Sequence, residues 1–221
     1  MDRHRTGLRK IAIREEWSTS LRILKRACDI LVSLTLIVLL SPLMLAIGCL
    51  LLAQGGPVVF RQLRIGRNGD LFNCYKFRTM RSDADAMLRK LLAENPRIRL
   101  EWRRRQKLTD DPRVTRFGRF MRKTSLDEIP QLVNVLKGEM SLVGPRPIIP
   151  TEATRYRGFL GHYLAVRPGL TGLWQVSGRN DTTYPRRVAL DVAYVRNASL
   201  RLDLAILLRT VPALLKTQGA R

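Results

Sequence analysis

Cysteine is scarce in this chain. Its 221 residues include three cysteines, Cys28, Cys49 and Cys74. Their spacing matches no metal-binding knuckle, and nothing in it suggests a disulfide framework. We therefore expect neither a zinc site nor disulfide bonds, and we interpret the three as buried or lipid-facing thiols in a reducing compartment.

Acidic residues are also few. The chain has 18 aspartates and glutamates against 40 lysines and arginines, which gives a formal net charge of +22. An excess of this size favours anionic partners, namely nucleic acid, anionic lipid or phosphorylated small molecules. No internal repeat or low-complexity linker is visible either. The length and these absences predict one domain with an appendage.

Charge is nearly missing from one long segment. Residues 27–53 read ACDILVSLTLIVLLSPLMLAIGCLLLA, which is almost wholly apolar. A helix of this length could cross a bilayer core of about 30 Å once, with some tilt. Basic residues flank both ends, however, so the positive-inside rule predicts that both ends stay in the cytoplasm.

The middle of this apolar segment contains Ser41 and Pro42. The proline removes a helix hydrogen bond and is expected to kink the helix, and the serine hydroxyl is the nearest partner for the freed backbone. The pattern predicts a re-entrant membrane hairpin over residues 25–56, after a basic tail over residues 1–24. A single kinked span stays open as an alternative, whereas a cleaved signal peptide or a soluble buried helix fits the pattern less well.

The rest of the chain, residues 57–221, has the patterns of a small cytosolic or interfacial domain. Two apolar runs around the Asn-Gly pair at 68–69 predict a β-hairpin with a tight turn. Residues 83–94 have helical periodicity, and the basic run at 97–107 predicts a face that is either solvated or bound to anionic lipid. The predicted fold class is α+β, mostly α, with a short β-hairpin and interfacial amphipathic helices.

An acidic pair, Asp127 and Glu128, occurs in the sequence TSLDEIPQL. Helical spacing follows it, and Gly138 predicts the end of that helix. Pro130 is tolerated in the first helical turn, so the helix should start near Asp127, whereas a capping box from Ser125 to Glu128 would start it slightly earlier. Either start places both carboxylates at a helix N-terminus, where the dipole keeps them ionised. The alternative is that Asp127 is a helix cap and Glu128 a first-turn charge, and that neither has a chemical role.

Cationic residues surround this pair in the sequence. Arg119, Arg122 and Lys123 precede it, and Arg146 follows it between two prolines that would hold its direction. Paired carboxylates beside arginines at a helix start resemble a site for a phosphate and a magnesium ion. A carboxylate can attack phosphorus only when cations neutralise the diphosphate, and these side chains can do so.

Five motifs occur in order along the chain. They are Ser41-Pro42, KFRTM (76–80), RKTSLDEIPQL (122–132), GEMSLVGPRP (138–147) and RPGLTGLWQVSGRN (167–180). Together they resemble the bacterial sugar transferase family, the monotopic polyprenyl-phosphate phosphoglycosyl transferases that begin exopolysaccharide and O-antigen assembly. The resemblance covers about residues 25 to 208 and is strongest to the undecaprenyl-phosphate galactose phosphotransferases. Without the multi-span N-terminal region of larger relatives, the chain resembles a minimal catalytic form.

The resemblance implies a two-step reaction at the cytoplasmic face of the bacterial inner membrane. Asp127 would attack the β-phosphate of a UDP-sugar, expel UMP and form an aspartyl phosphosugar. Undecaprenyl phosphate would then accept the phosphosugar. Glu128, together with Asp127, would hold Mg²⁺. The expected substrate-binding residues are Lys76, Arg78, Arg122, Arg146, Gln175 and Arg179.

The motif GLWQVSGRN indicates, by resemblance, which sugar is transferred. It resembles hexose-specific members of the family, especially those that transfer galactose 1-phosphate, so we expect UDP-galactose first and UDP-glucose second. We also expect anionic membrane lipid as a partner and no nucleic acid, and we leave open whether two copies form a homodimer.

Two alternatives to this mechanism remain at this point. In the first, the lipid phosphate attacks directly and Asp127 and Glu128 both act as metal ligands. In the second, the chain is a basic membrane adaptor or a nucleic-acid binder, which the net charge alone suggests. The second alternative explains neither the acidic pair nor the apolar segment.

Overall fold

The computed structural model describes residues 19–105, 108–178 and 182–215 of the chain. These residues are mostly helical, with two small sheets, in agreement with the predicted fold class. The helices are α1 (Thr19–Ala53), α2 (Ala84–Glu94), α3 (Pro96–Arg105), α4 (Arg116–Thr124), α5 (Gln131–Lys137), α6 (Leu160–Ala165), α7 (Leu173–Val176), α8 (Tyr184–Arg196) and α9 (Leu200–Leu215). The strands are β1 (Val59–Ile65), β2 (Leu71–Phe77), β3 (Ser141–Val143) and β4 (Gly169–Thr171).

Helix α1 contains the apolar segment. It starts at Thr19, within the stretch predicted as a basic tail, and residues 1–18 of that tail lie outside the described residues. The helix continues through Pro42, and the Ser41 hydroxyl donates a hydrogen bond to the Val38 carbonyl at 2.8 Å. By length and composition α1 could cross a membrane. The re-entrant geometry stays a prediction.

The N-terminal part of α1 is attached to the globular part by polar contacts. Arg26 donates to the Val135 carbonyl at 2.6 Å and to the Leu136 carbonyl at 2.8 Å, and so satisfies carbonyls in the last turn of α5. The buried carboxylate of Asp29 accepts a hydrogen bond from the Leu142 amide at 3.1 Å. The charged residue inside the apolar run therefore has a structural partner.

The C-terminal part of α1 packs on the same globular part. Ile47 and Leu51 are buried against Phe77 and Met121. The Leu51 carbonyl also accepts a hydrogen bond from the Arg78 guanidinium at 2.9 Å. Thus α1 contacts the globular part on both sides of its proline.

The predicted β-hairpin is confirmed. Strands β1 and β2 pair antiparallel, from Val59 opposite Phe77 to Ile65 opposite Leu71. The turn between them spans residues 66–70, and its Asn-Gly pair supplies two residues with positive φ, as hairpin turns often require. The second sheet, in which β3 and β4 pair in parallel, was not predicted.

Asn134 joins the hairpin to α5. Its fully buried side chain accepts a hydrogen bond from the Tyr75 amide at 3.0 Å. It also donates to the Asn73 carbonyl and to the Glu139 carboxylate, each at 2.7 Å. Because α5 directly follows the acidic pair and β2 carries Lys76, this one amide aligns two elements of the candidate site.

We expect Asn134→Ala to destabilise the protein by roughly 2 kcal/mol or more, because each buried polar group left unpaired costs about 1–3 kcal/mol. Thermal unfolding of purified protein in nanodiscs measures the effect as a fall in Tm. The control is Asn197→Ala, since Asn197 is exposed and its side chain bonds the Ala193 carbonyl within α8. Equal shifts for the two variants would show that Asn134 does not join the hairpin to α5 in solution.

Candidate active site

The acidic pair lies in a short 3₁₀ turn between α4 and α5. Leu126–Glu128 form this turn, and α5 starts at Gln131, later than predicted. Ser125, with a positive φ of 59°, ends α4, and Pro130 directly precedes α5. The Ser125 side chain makes no cap, so the capping box, which was the alternative helix start, does not form. Gly138 ends α5 with a φ of 82°, as predicted.

Two cations hold the pair. The side chain of Asp127 is 10% exposed and that of Glu128 is 18% exposed. Lys76 lies at the end of β2, with its Nζ 2.6 Å from Glu128 Oε1 and 3.8 Å from Asp127 Oδ2. Arg146 Nη2 lies 3.1 Å from the same Glu128 oxygen. The structure thus brings four predicted site residues together, with the closest cation contacts on Glu128.

Arg122 is held beside the pair by the segment that follows β2. Its Nε donates to the Thr79 hydroxyl at 2.9 Å. A Cβ on Gly118 would lie 2.0 Å from the Thr79 carbonyl oxygen, so glycine is needed for α4 to approach this segment closely. Thr115 starts α4 by accepting a hydrogen bond from the Gly118 amide at 2.8 Å.

The turn that carries Arg146 is fixed by the second sheet. The Gly144 amide donates to the Thr171 carbonyl at 3.0 Å, and the Gly169 amide donates to the Pro145 carbonyl at 2.7 Å. A Cβ on Gly169 would lie 2.1 Å from the Gly144 nitrogen. The two segments can meet this closely only because glycine occupies this position.

A small cleft lies beside the pair. Three cationic side chains face it, and the described residues that line it include no aspartate or glutamate. The lining residues are Arg64, Cys74, Lys76, Gln131, Arg146, Pro147, Gly169 and Leu170. Several convergent cations favour a ligand that carries phosphate.

The two carboxyl groups have pKa values shifted in opposite directions. Burial raises the pKa of Asp127, and the repulsion by Glu128 adds to this, while Lys76, Arg122 and Arg146 offset only part of the rise. Burial also acts against the charge of Glu128, but the charges and hydrogen bonds of Lys76 and Arg146 outweigh it and hold its pKa well below the usual value. Asp127 is therefore the more basic carboxylate of the pair.

The acidic pair offers two adjacent carboxylates for the predicted Mg²⁺. Within the described ranges, no group of three or more His, Cys, Asp or Glu side chains could hold a metal ion. Mg²⁺ often uses one or two carboxylates while substrate phosphates and water supply its other ligands. Asp127 and Glu128 are adjacent, and the cations contact Asp127 less closely. The pair fits a magnesium ion that is bound together with a phosphorylated substrate.

Arg78 and Gln175 make their hydrogen bonds away from the acidic pair. Arg78 is buried against α1, where it binds the Leu51 carbonyl. Gln175 lies in α7 and donates to the carbonyl of Leu170, a residue of the cleft wall, at 3.1 Å. Arg179 lies outside the described residues, and Ser41 with Pro42 lies in α1. The roles assigned to these residues stay predictions.

Sequence reasoning missed Arg64 and Gln131 as cleft residues. A signal for Arg64 exists, because it pairs with Phe72 across the hairpin and alternation then puts it on the same face as Lys76. Finding it requires the hairpin register as well as the hairpin itself. No comparable pattern distinguishes Gln131 from the other residues of α5.

The chain matches a described protein family over most of its length. The sequence pattern of the family described as "Bacterial sugar transferase" matches residues 20–217. This range contains all five motifs and nearly all of the described residues, so the resemblance proposed from the motifs is confirmed.

Individual relatives cover most of this chain. The undecaprenyl-phosphate galactose phosphotransferase of Salmonella typhimurium is 51% identical over 91% of this chain and 42% of its own length. The exopolysaccharide production protein ExoY of Sinorhizobium fredii is 48% identical over 89% of this chain and 87% of its own length. The UDP-glucose:undecaprenyl-phosphate glucose-1-phosphate transferase of Escherichia coli is 38% identical over 86% of this chain and 40% of its own length. The chain therefore spans less than half of the Salmonella and Escherichia relatives.

The opposite pKa shifts predict opposite effects of neutralising each carboxylate on stability. A raised folded-state pKa means that ionised Asp127 destabilises the folded protein at neutral pH, whereas ionised Glu128 stabilises it. We expect Asp127→Asn to raise Tm at pH 7 and Glu128→Gln to lower it. Both Tm differences from wild type should shrink as pH falls. The difference for Asp127→Asn should shrink below the raised pKa of Asp127. The difference for Glu128→Gln should shrink from about pH 4.3, the usual Glu pKa, downward. Thermal unfolding of wild type and both variants from pH 7 downward measures these Tm differences. A lower Tm for Asp127→Asn than for wild type at pH 7 would contradict the raised pKa of Asp127.

Proposed function

Because the chain belongs to the bacterial sugar transferase family, we propose that it transfers a hexose 1-phosphate from a UDP-sugar to undecaprenyl phosphate and releases UMP. The observation that carries this proposal is the buried acidic pair, which is held by Lys76 and Arg146, two of the three cations that line the adjacent cleft. The product would be a polyprenyl diphosphate sugar, which begins exopolysaccharide or O-antigen assembly.

The first proposed step is attack by a carboxylate oxygen of Asp127 on the β-phosphorus of the UDP-sugar. A bond forms between this oxygen and phosphorus, the bond from phosphorus to the bridging oxygen breaks, and UMP leaves with the bonding electrons. In the second step an oxygen of undecaprenyl phosphate attacks the same phosphorus. The bond to Asp127 then breaks, and the carboxylate is restored.

The geometry favours Asp127 over Glu128 as the nucleophile. Glu128 has two cations within hydrogen-bonding distance, whereas Lys76 is 3.8 Å from Asp127. Burial raises the pKa of Asp127, which makes its ionised form more basic and less solvated. Lys76, Arg122 and Arg146 would neutralise the diphosphate, so that an anionic carboxylate can approach it.

Glu128, with Asp127, would hold Mg²⁺ next to the diphosphate. The ion would supply positive charge to the phosphate oxygens and to the departing UMP. Lys76 and Arg146 keep Glu128 ionised, which is the state that a metal ligand requires.

Galactose is the proposed sugar. The Salmonella relative is named for galactose and the Escherichia relative for glucose, and the chain is more similar to the former. UDP-glucose is therefore the second candidate.

We also propose that α1 enters and leaves the inner membrane by its cytoplasmic face. Both parts of α1 contact the same globular part, through Arg26 and Asp29 on one side of Pro42 and through Ile47 and Leu51 on the other. The two ends could lie on opposite faces of a bilayer only if this polar domain entered the hydrocarbon core, which is unfavourable. Exposed arginines of α3 would bind anionic lipid headgroups beside it.

The covalent step predicts an isolable enzyme form. Protein incubated with Mg²⁺ and UDP-galactose, without lipid acceptor, should release UMP and gain one hexose phosphate on the peptide that contains Asp127. Asp127→Asn should give no adduct and lose at least about 1000-fold in overall rate, since removing a nucleophile costs on this order. Asp70→Asn, a change at an exposed aspartate, is the matched control and should behave as wild type. Intact-protein and peptide mass spectrometry detect the adduct.

Other outcomes of this experiment separate the alternatives. UMP release that occurs only with undecaprenyl phosphate, without any adduct, would favour direct attack by the lipid. No reaction with UDP-galactose, UDP-glucose or UDP-N-acetylhexosamines would leave a basic adaptor as the explanation.

The re-entrant geometry predicts that both ends of α1 are accessible from one side. Thr19→Cys and Gln54→Cys, each made after Cys28 and Cys49 are replaced by serine, place a thiol at either end of the helix. Both should react with a membrane-impermeant maleimide in inverted inner-membrane vesicles and not in intact spheroplasts. Labelling of one position in each preparation would instead establish a single span.

A further inference from the structure

The segment after Arg146 is joined to the end of β1 by one direct backbone bond. The Ile65 amide donates to the Ile148 carbonyl at 2.9 Å, and these residues form an isolated antiparallel bridge. In a hydrogen-bonded antiparallel pair the two residues normally exchange two such bonds. Here the second bond, from the Ile148 amide to the Ile65 carbonyl, is not made directly.

The hydroxyl of Tyr163 takes the place of this second bond. It accepts a hydrogen bond from the Ile148 amide at 3.2 Å and donates one to the Ile65 carbonyl at 2.6 Å. Tyr163 projects from α6 and is 1% exposed, so water cannot take over either bond. The hydroxyl therefore sets the spacing between β1 and the chain two residues after Arg146.

A third hydrogen bond holds the residue between Arg146 and Ile148. Arg64, the residue before Ile65, donates from Nη1 to the Pro147 carbonyl at 2.8 Å. The residues on both sides of Arg146 are prolines, so rigid backbone transmits the position of Ile148 to Arg146. Arg146 in turn contacts Glu128 at 3.1 Å.

We propose that Tyr163 is a positioning residue for the proposed transfer reaction, and that it acts by holding Arg146 in register with Glu128 and the cleft. It does not touch the acidic pair itself. Its hydroxyl fixes the backbone of Ile148, two residues after Arg146, and the hydrogen bond from Arg64 to the Pro147 carbonyl fixes the residue between them. The role rests on the proposed function, because Arg146 is assigned there to the substrate diphosphate.

Tyr156 provides a matched control within the same cluster. It is buried to 3% exposure and packs against Tyr163 with ring centroids 5.3 Å apart. Its hydroxyl binds the Asp191 carboxylate at 2.7 Å instead of the backbone after Arg146. Changing either tyrosine to phenylalanine removes one buried hydroxyl, but only Tyr163→Phe releases the Ile148 amide.

The experiment compares Tyr163→Phe with Tyr156→Phe in the full-length protein in nanodiscs. We expect kcat to fall by about 10-fold or more for Tyr163→Phe, because a shift of roughly 1 Å in a positioned group can cost on the order of 100-fold in rate. KM for undecaprenyl phosphate should stay within about twofold of wild type. Tyr156→Phe should keep wild-type kcat after correction for the folded fraction.

A double-mutant cycle tests whether the effect passes through Arg146. In an Arg146→Lys background, Tyr163→Phe should lower kcat by less than about twofold, because the group that it positions is already gone. An undiminished effect in that background, or equal effects of the two tyrosine changes, would overturn the proposal. If Tyr163→Phe does not fold, 3,5-difluorotyrosine at position 163, which weakens the hydroxyl as an acceptor for the Ile148 amide, should give the same pattern in the same cycle.

Hydrogen exchange separates this inference from the proposed function. Peptides that cover residues 144–148 should exchange faster in Tyr163→Phe than in Tyr156→Phe, whether or not the protein turns over substrate. Wild-type protein without transferase activity would refute the proposed function alone. Active wild-type protein with unchanged exchange and unchanged kcat in Tyr163→Phe would refute the positioning role alone.

Discussion

The burial of two adjacent carboxylates is the constraint on which the site depends. Removing one ionised carboxylate from water is costly, and a second one beside it adds repulsion. Lys76 and Arg146 offset this cost mainly for Glu128, which leaves Asp127 with a raised pKa. The unequal sharing of cations therefore creates two chemically different carboxylates from neighbouring residues: Glu128 is paired and has a lowered pKa, and Asp127 is more basic.

This constraint explains why so much of the fold serves to bring distant cations together. Lys76, Arg122 and Arg146 come from β2, α4 and a turn after β3, and a flexible chain would keep three like charges apart. Specific contacts hold each one: the Asn134 side chain aligns β2 with α5, Gly118 lets α4 approach Thr79 closely, and Gly169 lets the turn that carries Arg146 approach β4 closely. Polar and glycine contacts thus fix the site geometry together with the apolar packing of α5 on β2.

Prediction from sequence succeeded where local patterns determine structure. The Asn-Gly pair and flanking apolar runs predicted the hairpin, and Gly138 predicted the end of α5, because both depend on residues close in sequence. The capping box, which was the alternative helix start, does not form, because Ser125 has a left-handed conformation and its side chain makes no cap. Prediction from sequence could not find the parallel pairing of β3 with β4, since each strand has three residues and no local pattern records the partner. The buried role of Asp29 likewise depends on Leu142, far along the chain.

The KFRTM motif shows how one short strand end links the site to α1. Alternation along β2 turns Lys76 toward the acidic pair and Phe77 toward Leu51 of α1. Arg78 continues on the α1 side by binding the Leu51 carbonyl, and Thr79 returns to the site by holding Arg122. Because residues 76–79 contact both the acidic pair and α1, Lys76 cannot move relative to α1 without breaking this packing. If α1 lies in the membrane as proposed, the same strand end sets the height of Asp127 above the hydrocarbon core, where a lipid phosphate would be presented.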